Sequence, residues 1–287
     1  MMTPEAYCQH KTRQSGSSFY YSFFFLPTAR RRAIIALYAF CREIDDVVDE
    51  YHDPTTAQQA LDTWREEIHR LYRGCPEHLV GQALLPVIAT YDLAEEHFLE
   101  LIDGMEMDLH HRGFENFSEL SLYCYRVASV VGLMSAEIFG YQDRQTLKYA
   151  HDLGMAFQLT NILRDVGEDI RRGRCYLPRD EMVKAGVSLE QLQHGKWHTG
   201  MEKLFALQAE RAEYYYEQAF ARLPEVDRYR QLSGVIMARI YRQILKEIQA
   251  QNYPVLQRRL SLSKGKKLQL ALGCAWQEWR RHRRRLQ

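Results

Sequence analysis

Two aspartate clusters restrict this chain more than any other feature. One is Asp45-Asp46-Val47-Val48-Asp49; the other lies in residues 158–169 and carries Gln158, Asn161, Arg164, Asp165, Glu168 and Asp169. At about 100° per residue, Asp45 and Asp49 stand about 40° apart on a helix, with Ile34, Tyr38 and Cys41 in the same arc. Gln158, Asn161, Asp165 and Asp169 share an arc of about 80° on a second helix. Carboxylates on the apolar edge of a helix are costly to bury, and several facing one another raise each other's pKa. Divalent cations with oxygen ligands remove both costs, and Mg²⁺ characteristically bridges a few carboxylates to substrate phosphates. An isolated i,i+4 acidic pair is usually a solvated face. Two such clusters on apolar arcs, one with an Asn and an Arg, instead demand a metal–diphosphate site between two helices.

Helical periodicity runs nearly throughout the 287 residues. A short helix opened by Thr3-Pro4 runs toward Gly16. Further helices are predicted at about 27–51, 56–73, 77–91, 93–111, 118–139, 143–172, 199–223, 225–251 and 263–283. Ser188 with Gln191 marks a capping-box start after a loop rich in turn residues. No alternating strand, Gly-rich dinucleotide pattern or solenoid repeat is visible. A 46% hydrophobic content suffices for a large core. These features predict one all-α domain over 1–287, a helical bundle around a central cavity.

Six cysteines, without C-x-x-C or zinc-like grouping, indicate a reducing, intracellular compartment. No signal peptide is recognisable, and the apolar stretch 19–26 is too short to span a bilayer. A cytoplasmic protein, soluble or peripheral at the inner membrane surface, is expected. Between Lys264 and the end, eight Lys/Arg stand against one Glu, a local charge of +7. The remainder of this chain of net charge +1 therefore carries −6. Such asymmetry suggests an anionic surface near the C-terminus. Leu268, Leu270, Ala271, Leu272, Ala275, Trp276 and Trp279, followed by Arg280, Arg281, Arg283, Arg284 and Arg285 in the basic tail, predict contact with anionic lipid. A nucleic-acid partner would rest on the tail alone, without a reading motif.

Within the clusters, Asp45, Asp49, Asn161, Asp165 and Asp169 have the spacing to hold divalent ions from two sides. Asn161 adds a ligand without adding charge. Arg42 and Arg164 are candidates for phosphate oxygens, the alternative being ion pairs with neighbouring aspartates. His110 and His111 show no metal-ligand pattern and are expected at the surface.

Asp45-Asp46-x-x-Asp49 alone also matches chain-elongating prenyl synthases and terpene cyclases, but Asn161-x-x-Arg164 followed by Asp165-x-x-Glu168-Asp169 separates the chain from them. With Gly16-Ser17-Ser18-Phe19-Tyr20, residues 38–46, Tyr123-Cys124-Tyr125-Arg126-Val127-Ala128 and Gly173-Arg174-Cys175-Tyr176-Leu177-Pro178, it resembles the squalene/phytoene synthase family over nearly its full length. Within that family the N-terminal segments look most like the bacterial presqualene diphosphate synthases of hopanoid biosynthesis. The resemblance implies an isoprenoid-synthase fold, two or three Mg²⁺ ions, and head-to-head joining of two prenyl diphosphates. Carried onto this chain, it implies that Ser18, Phe19, Tyr38, Arg42, Gln158, Asn161, Arg164 and Tyr253 contact substrate. It further implies that Tyr123 steers the cation, and that Asp45, Asp49, Asn161, Asp165 and Asp169 form the metal site.

The resulting expectation is a transferase that condenses two farnesyl diphosphates to presqualene diphosphate, with no NADPH. The alternatives are a phytoene or dehydrosqualene synthase, a complete squalene synthase, and, from another class, a catalytically silent helical scaffold. An intact metal set argues against the scaffold, which gains nothing from inward-facing carboxylates.

Overall fold

Helix starts are written locally. Thr3 Oγ1 accepts a hydrogen bond from the Ala6 amide at 3.2 Å, the Asp53 carboxylate accepts one from Thr56 N at 2.9 Å, and Ser188 and Gln191 form a reciprocal capping box. The computed structural model describes residues 2–14, 22–51, 53–195 and 197–286. Its helices are α1 (Pro4–Gln14), α2 (Thr28–Glu50), α3 (Pro54–Tyr72), α4 (Leu79–Tyr91), α5 (Glu95–Leu109), α6 (Phe117–Cys124) and α7 (Val130–Phe139). They continue with α8 (Gln145–Arg171), α9 (Arg179–Ala185), α10 (Leu189–His194), α11 (Thr199–Arg222), α12 (Leu232–Ala250) and α13 (Lys264–Leu286). Among the described residues there is no strand, in accord with the all-α expectation.

Three elements differ from the sequence expectation. The helix predicted to start near 225 starts at Leu232, because the buried Asp227 turns away to accept hydrogen bonds from Gln142 N, Asp143 N and Thr146 Oγ1 at 2.7, 2.9 and 2.9 Å. That carboxylate satisfies donors at the start of α8, where it also complements the helix dipole. The predicted loop after residue 173 contains α9. The predicted helix 118–139 is interrupted by a π-turn, Tyr125–Ser129, between α6 and α7. The whole segment Phe117–Phe139 has the length and composition to cross a membrane, yet Leu120, Tyr123, Cys124, Val130 and Met134 are all buried in the bundle.

Two apolar clusters build the interior. One gathers side chains of α8, α11 and α12 around Tyr149, Phe205 and Tyr216. The other gathers α2, α4 and α5 around Leu37, Phe40 and Phe98. Val127, in the π-turn, packs against both. The aspartate-bearing helices α2 and α8 thus belong to different halves, and the space between the halves separates the clusters.

Glycine holds the π-turn in place. A Cβ at Gly154 of α8 would stand 2.6 Å from Ser129 Cα and 2.8 Å from the Ala128 carbonyl oxygen, and Ser129 Oγ donates to the His151 carbonyl at 2.9 Å. Both obstacles are backbone, which cannot rotate aside. Gly154→Ala is therefore expected to lower stability by about 1–3 kcal/mol, read as a fall in the urea midpoint. An unchanged midpoint would show that the π-turn yields without cost.

Candidate active site

On α2, the first cluster divides its labour. Asp46 faces α1, where Lys11 Nζ lies 2.9 Å away, and Arg42 pairs with both Asp46 and Asp45. Lys11 also pairs with Glu43 at 3.1 Å, and the Tyr7 hydroxyl donates to Glu43 at 2.7 Å. Asp49, one helical turn beyond Asp45, takes no part in these bonds and instead meets the arginines that follow α8. Desolvation raises the pKa of Asp45; the Arg42 charge opposes this, and Asp49 and Asp46 add to it.

On α8, Arg164 is bidentate to Asp165, with Nε at 2.7 Å and Nη2 at 2.5 Å. Arg259, which precedes α13, grips the same carboxylate at 2.8 and 3.2 Å. Asp165 is thus held between two guanidinium groups. Arg164 also lies over the Tyr241 ring, 5.9 Å from its centroid. One turn on, the Asp169 carboxyl makes no hydrogen bond or ion pair among the described residues, although its backbone carbonyl accepts from Arg172 N and Arg174 N at 3.0 and 2.9 Å. Desolvation, and then the charges of Asp165 and Asp108, push its pKa up to about 7 against the pull of Arg174 and Arg172. Asn161 Nδ2 points at Gln158 Oε1, 3.4 Å away, while its buried Oδ1 has no hydrogen-bond partner.

The loop after α8 joins the halves. Gly173, at φ +78°, turns the chain in a conformation that glycine adopts readily. The turn sends Arg172 and Arg174 to Asp49 of α2, at 3.5 and 3.4 Å; Arg174 also donates to the Val48 carbonyl at 3.2 Å. Two residues further, the Tyr176 hydroxyl donates to Asp108 Oδ1 at 2.6 Å, and Tyr123 donates to Oδ2 at 2.8 Å. The two rings stack at 5.3 Å. Desolvation raises the pKa of Asp108 to about 6 although both tyrosine bonds lower it.

A mainly apolar cavity of about 210 Å³ extends from the clusters. Tyr38 and Cys41 line it from α2, Val127 and Ala128 from the π-turn, Phe157, Gln158 and Asn161 from α8, and Met237 from α12. Of the predicted site residues, Tyr38, Gln158 and Asn161 line this cavity; Arg42, Asp45 and Asp49 lie further along α2, and Arg164, Asp165 and Asp169 further along α8, beyond its lining. Arg42 and Arg164 are engaged in ion pairs with adjacent aspartates, the alternative considered for them. Ser18 and Phe19 lie outside the described residues. Tyr123 is buried against Phe114 and Tyr176 and does not line the cavity. The Tyr253 ring packs 6.4 Å from Phe205 of α11, and the tyrosine beside Arg164 is Tyr241.

Sequence reasoning assigned no role to Arg172, Arg174, Arg259, Asp108, Tyr176 or Tyr241. The run Gly173-Arg174-Cys175-Tyr176 was the available signal for two of them. His111, expected at the surface, is half-buried: its ring lies 4.8 Å from Tyr176, and Nε2 is 3.0 Å from the Cys175 carbonyl. The loop after α8 folds over it.

Among the described residues, no three His, Cys, Asp or Glu side chains converge as a ready-made metal cage. The donor set nonetheless suits hard divalent cations. It offers an orphaned buried carbonyl on Asn161, a carboxyl on Asp169 whose proton affinity burial raises in the absence of a counter-charge, and further carboxylates on α2 and α8.

A family model described as squalene/phytoene synthase matches residues 12–266. The chain is 38% identical over 276 residues to phytoene synthase 2, chloroplastic, of Solanum lycopersicum, covering 92% of this chain and 88% of that protein. It is also 38% identical over 275 residues to the chloroplastic phytoene synthase of an Oncidium hybrid cultivar, where 92% of this chain spans 66% of the relative's length. A crystal structure of a dehydrosqualene synthase in complex with ligand superposes with a TM-score of 0.87 at 30% identity, covering 96% of each chain.

Proposed function

The chain belongs to the squalene/phytoene synthase family, and from that premise we propose that it joins two geranylgeranyl diphosphates head to head, giving phytoene. The observation that carries this reading is the agreement between relatives named phytoene synthase over nine-tenths of the chain and two aspartate clusters, linked through Arg174, on the two helices that line an apolar cavity. The relatives favour this alternative over the farnesyl reading drawn from the N-terminal motifs. Condensation of farnesyl diphosphate to presqualene diphosphate is the second reading, favoured by the likeness to dehydrosqualene synthase.

The chain's own residues divide the work. Arg42, Arg164, Arg174 and Arg259 each pair with an aspartate of the two clusters, and guanidinium groups stabilise negative charge as it develops on a departing diphosphate. Asp45, Asp49, Asn161, Asp165 and Asp169 would hold Mg²⁺, which when bound supplies Lewis-acid stabilisation of that leaving group. Beyond the mouth, Leu37, Val127, Val131 and Met237 exclude water from the allylic centre. The ring faces of Tyr38 and Phe157 suit a carbocation. Phe157 is itself set by Tyr241, whose ring lies 5.0 Å away. Tyr123 acts at one remove: its hydroxyl donates to Asp108, and with Tyr176 it fixes the loop that carries Arg174.

The test is incubation with Mg²⁺ and each prenyl diphosphate separately, measuring released diphosphate and identifying products by mass spectrometry. Geranylgeranyl diphosphate is expected to exceed farnesyl diphosphate in kcat/KM by about tenfold or more, a chain-length discrimination available from an apolar pocket. The reverse preference, with presqualene diphosphate as product, would establish the second reading. No diphosphate released from either by folded protein would overturn both.

A further inference from the structure

The last helix has a second face that remains exposed among the described residues. Ala271 and Cys274 of α13 are buried against the body, and Glu278 takes a bidentate pair from Arg228 at 2.7 and 3.0 Å. His282 extends this inner face by stacking on Tyr229, with centroids 4.4 Å apart. At about 100° per residue, Leu268, Leu272, Trp276, Trp279 and Arg283 share one arc of about 80° on a different side of the helix. The four apolar side chains are between 42% and 56% exposed. Scattered exposed hydrophobes need no explanation, but four on one stripe, two of them tryptophan, mark an interaction face.

The charges follow the same stripe. Arg280 lies over the Trp276 ring and Arg283 over the Trp279 ring, each 4.6 Å from the centroid, and Arg284 and Lys266 stand exposed about 80° beyond the stripe's edge, on the side away from Ala271 and Cys274. Not every residue expected from sequence belongs to this face. Ala271 is in the core, Leu270 and Ala275 pack against it, and Arg281 pairs with Glu225 at 2.8 Å. The first turn of α13 also places Lys267 within electrostatic reach of Arg164 and Arg259.

We propose that the outer face of α13 docks on an anionic lipid bilayer, with Leu268, Leu272, Trp276 and Trp279 entering the interface and Arg280, Arg283 and Arg284 meeting the headgroup phosphates. Charge complementarity selects this occupant. A second copy paired through the same face would set arginines against arginines, whereas an anionic leaflet offers opposite charge along the whole stripe. Tryptophan suits the headgroup level, and an amphipathic helix with basic residues beside its apolar face lies in the interface plane. The inference is independent of which prenyl diphosphate the enzyme uses.

Sedimentation of the full chain with phosphatidylglycerol/phosphatidylcholine vesicles, and with phosphatidylcholine alone, tests it. Binding is expected to the anionic vesicles and to weaken as salt is added. The triple variant R280Q/R283Q/R284Q should bind roughly a hundredfold more weakly, and L272S/W276S/W279S about tenfold or more weakly, both with unchanged thermal melting. Leu272→Asp, a single change at a half-exposed position, serves if the apolar triple variant fails to fold. Equal vesicle binding by wild type and variants, or no binding by wild type, would overturn the proposal. So would a concentration-dependent dimer that the tryptophan variant abolishes, in the absence of vesicle binding.

Discussion

Asp169→Asn and Asp45→Asn are each expected to lower turnover of prenyl diphosphate by about a hundred- to a thousandfold, the usual cost of removing one preorganised electrostatic group from a site. Their effect on stability runs the other way. The Asp169 pKa is raised to about 7 in the folded protein, mainly by desolvation and then by Asp165 and Asp108. A group that holds its proton more tightly when folded favours the fold fully below its unfolded pKa, near 4, and that advantage is lost as pH rises through about 7. Metal-free wild type should therefore lose stability between pH 5 and pH 8. Asp169→Asn should be more stable than wild type at pH 8 by about 1–3 kcal/mol, solvent at the open cleft reducing the full linkage value. Any slope that remains in the variant belongs to Asp108, whose pKa is raised to about 6. Asp165→Asn should differ, because it weakens the grip of Arg164 and Arg259 and lowers the melting temperature. Thermal melts in chelator at both pH values, alongside steady-state kinetics, check the set. Near-wild-type turnover, or a lower melting temperature for Asp169→Asn at pH 8, would remove Asp169 from the metal site.

Asp108→Ala has the largest expected effect on stability. It leaves the hydroxyls of Tyr123 and Tyr176 without their acceptor in a site where Asp108 is only 8% exposed. Orphaning buried donors costs about 1–3 kcal/mol each, so a loss of about 2–5 kcal/mol should appear in the urea midpoint. Asp108→Asn retains a carbonyl acceptor and carries no charge to desolvate; it should stay within about 1 kcal/mol of wild type at pH 8. Turnover should fall in the alanine variant as well. Tyr176 lies two residues from Arg174, and freeing that anchor loosens the arginine from Asp49. An alanine variant with the wild-type midpoint would show that the tyrosines find other partners and that the loop is held elsewhere.

Much of the fold was legible because helices are local objects. The 3.6-residue period, Thr3, Asp53 and the Ser188–Gln191 capping box act within one or two turns, so sequence alone placed most helices within a few residues of their observed ends. The same angular reasoning set Asp45 with Asp49 on one helix and Asn161 with Asp165 and Asp169 on another, and both of those helices line the cavity. It failed where a distant group overrode the local pattern. Asp227, reaching the start of α8, delayed α12, and Gly154, pressed against Ser129, accommodated a π-turn in a segment that reads as plain helix.

The polar wiring of the site was a tertiary decision. Arg172 reaches Asp49 across 123 positions in the chain, and Arg259 reaches Asp165 across 94; no spacing rule connects residues so far apart. Asp108 reads as one more acidic residue on an amphipathic helix until packing buries it beneath two tyrosines. Tyr241 and Tyr253 are indistinguishable by type, and only the course of α12 set the first beside Arg164 and the second against Phe205. On α13 the sequence supplied the apolar and basic residues, but docking through Ala271, Cys274 and Glu278 decided which of them face outward. Sequence determined the helices and the chemistry each one carries, because hydrogen bonding and side-chain angle along a helix are set by near neighbours. Tertiary structure decided which charges are paired, which are desolvated and which remain exposed, because those depend on what the packing of other helices brings alongside.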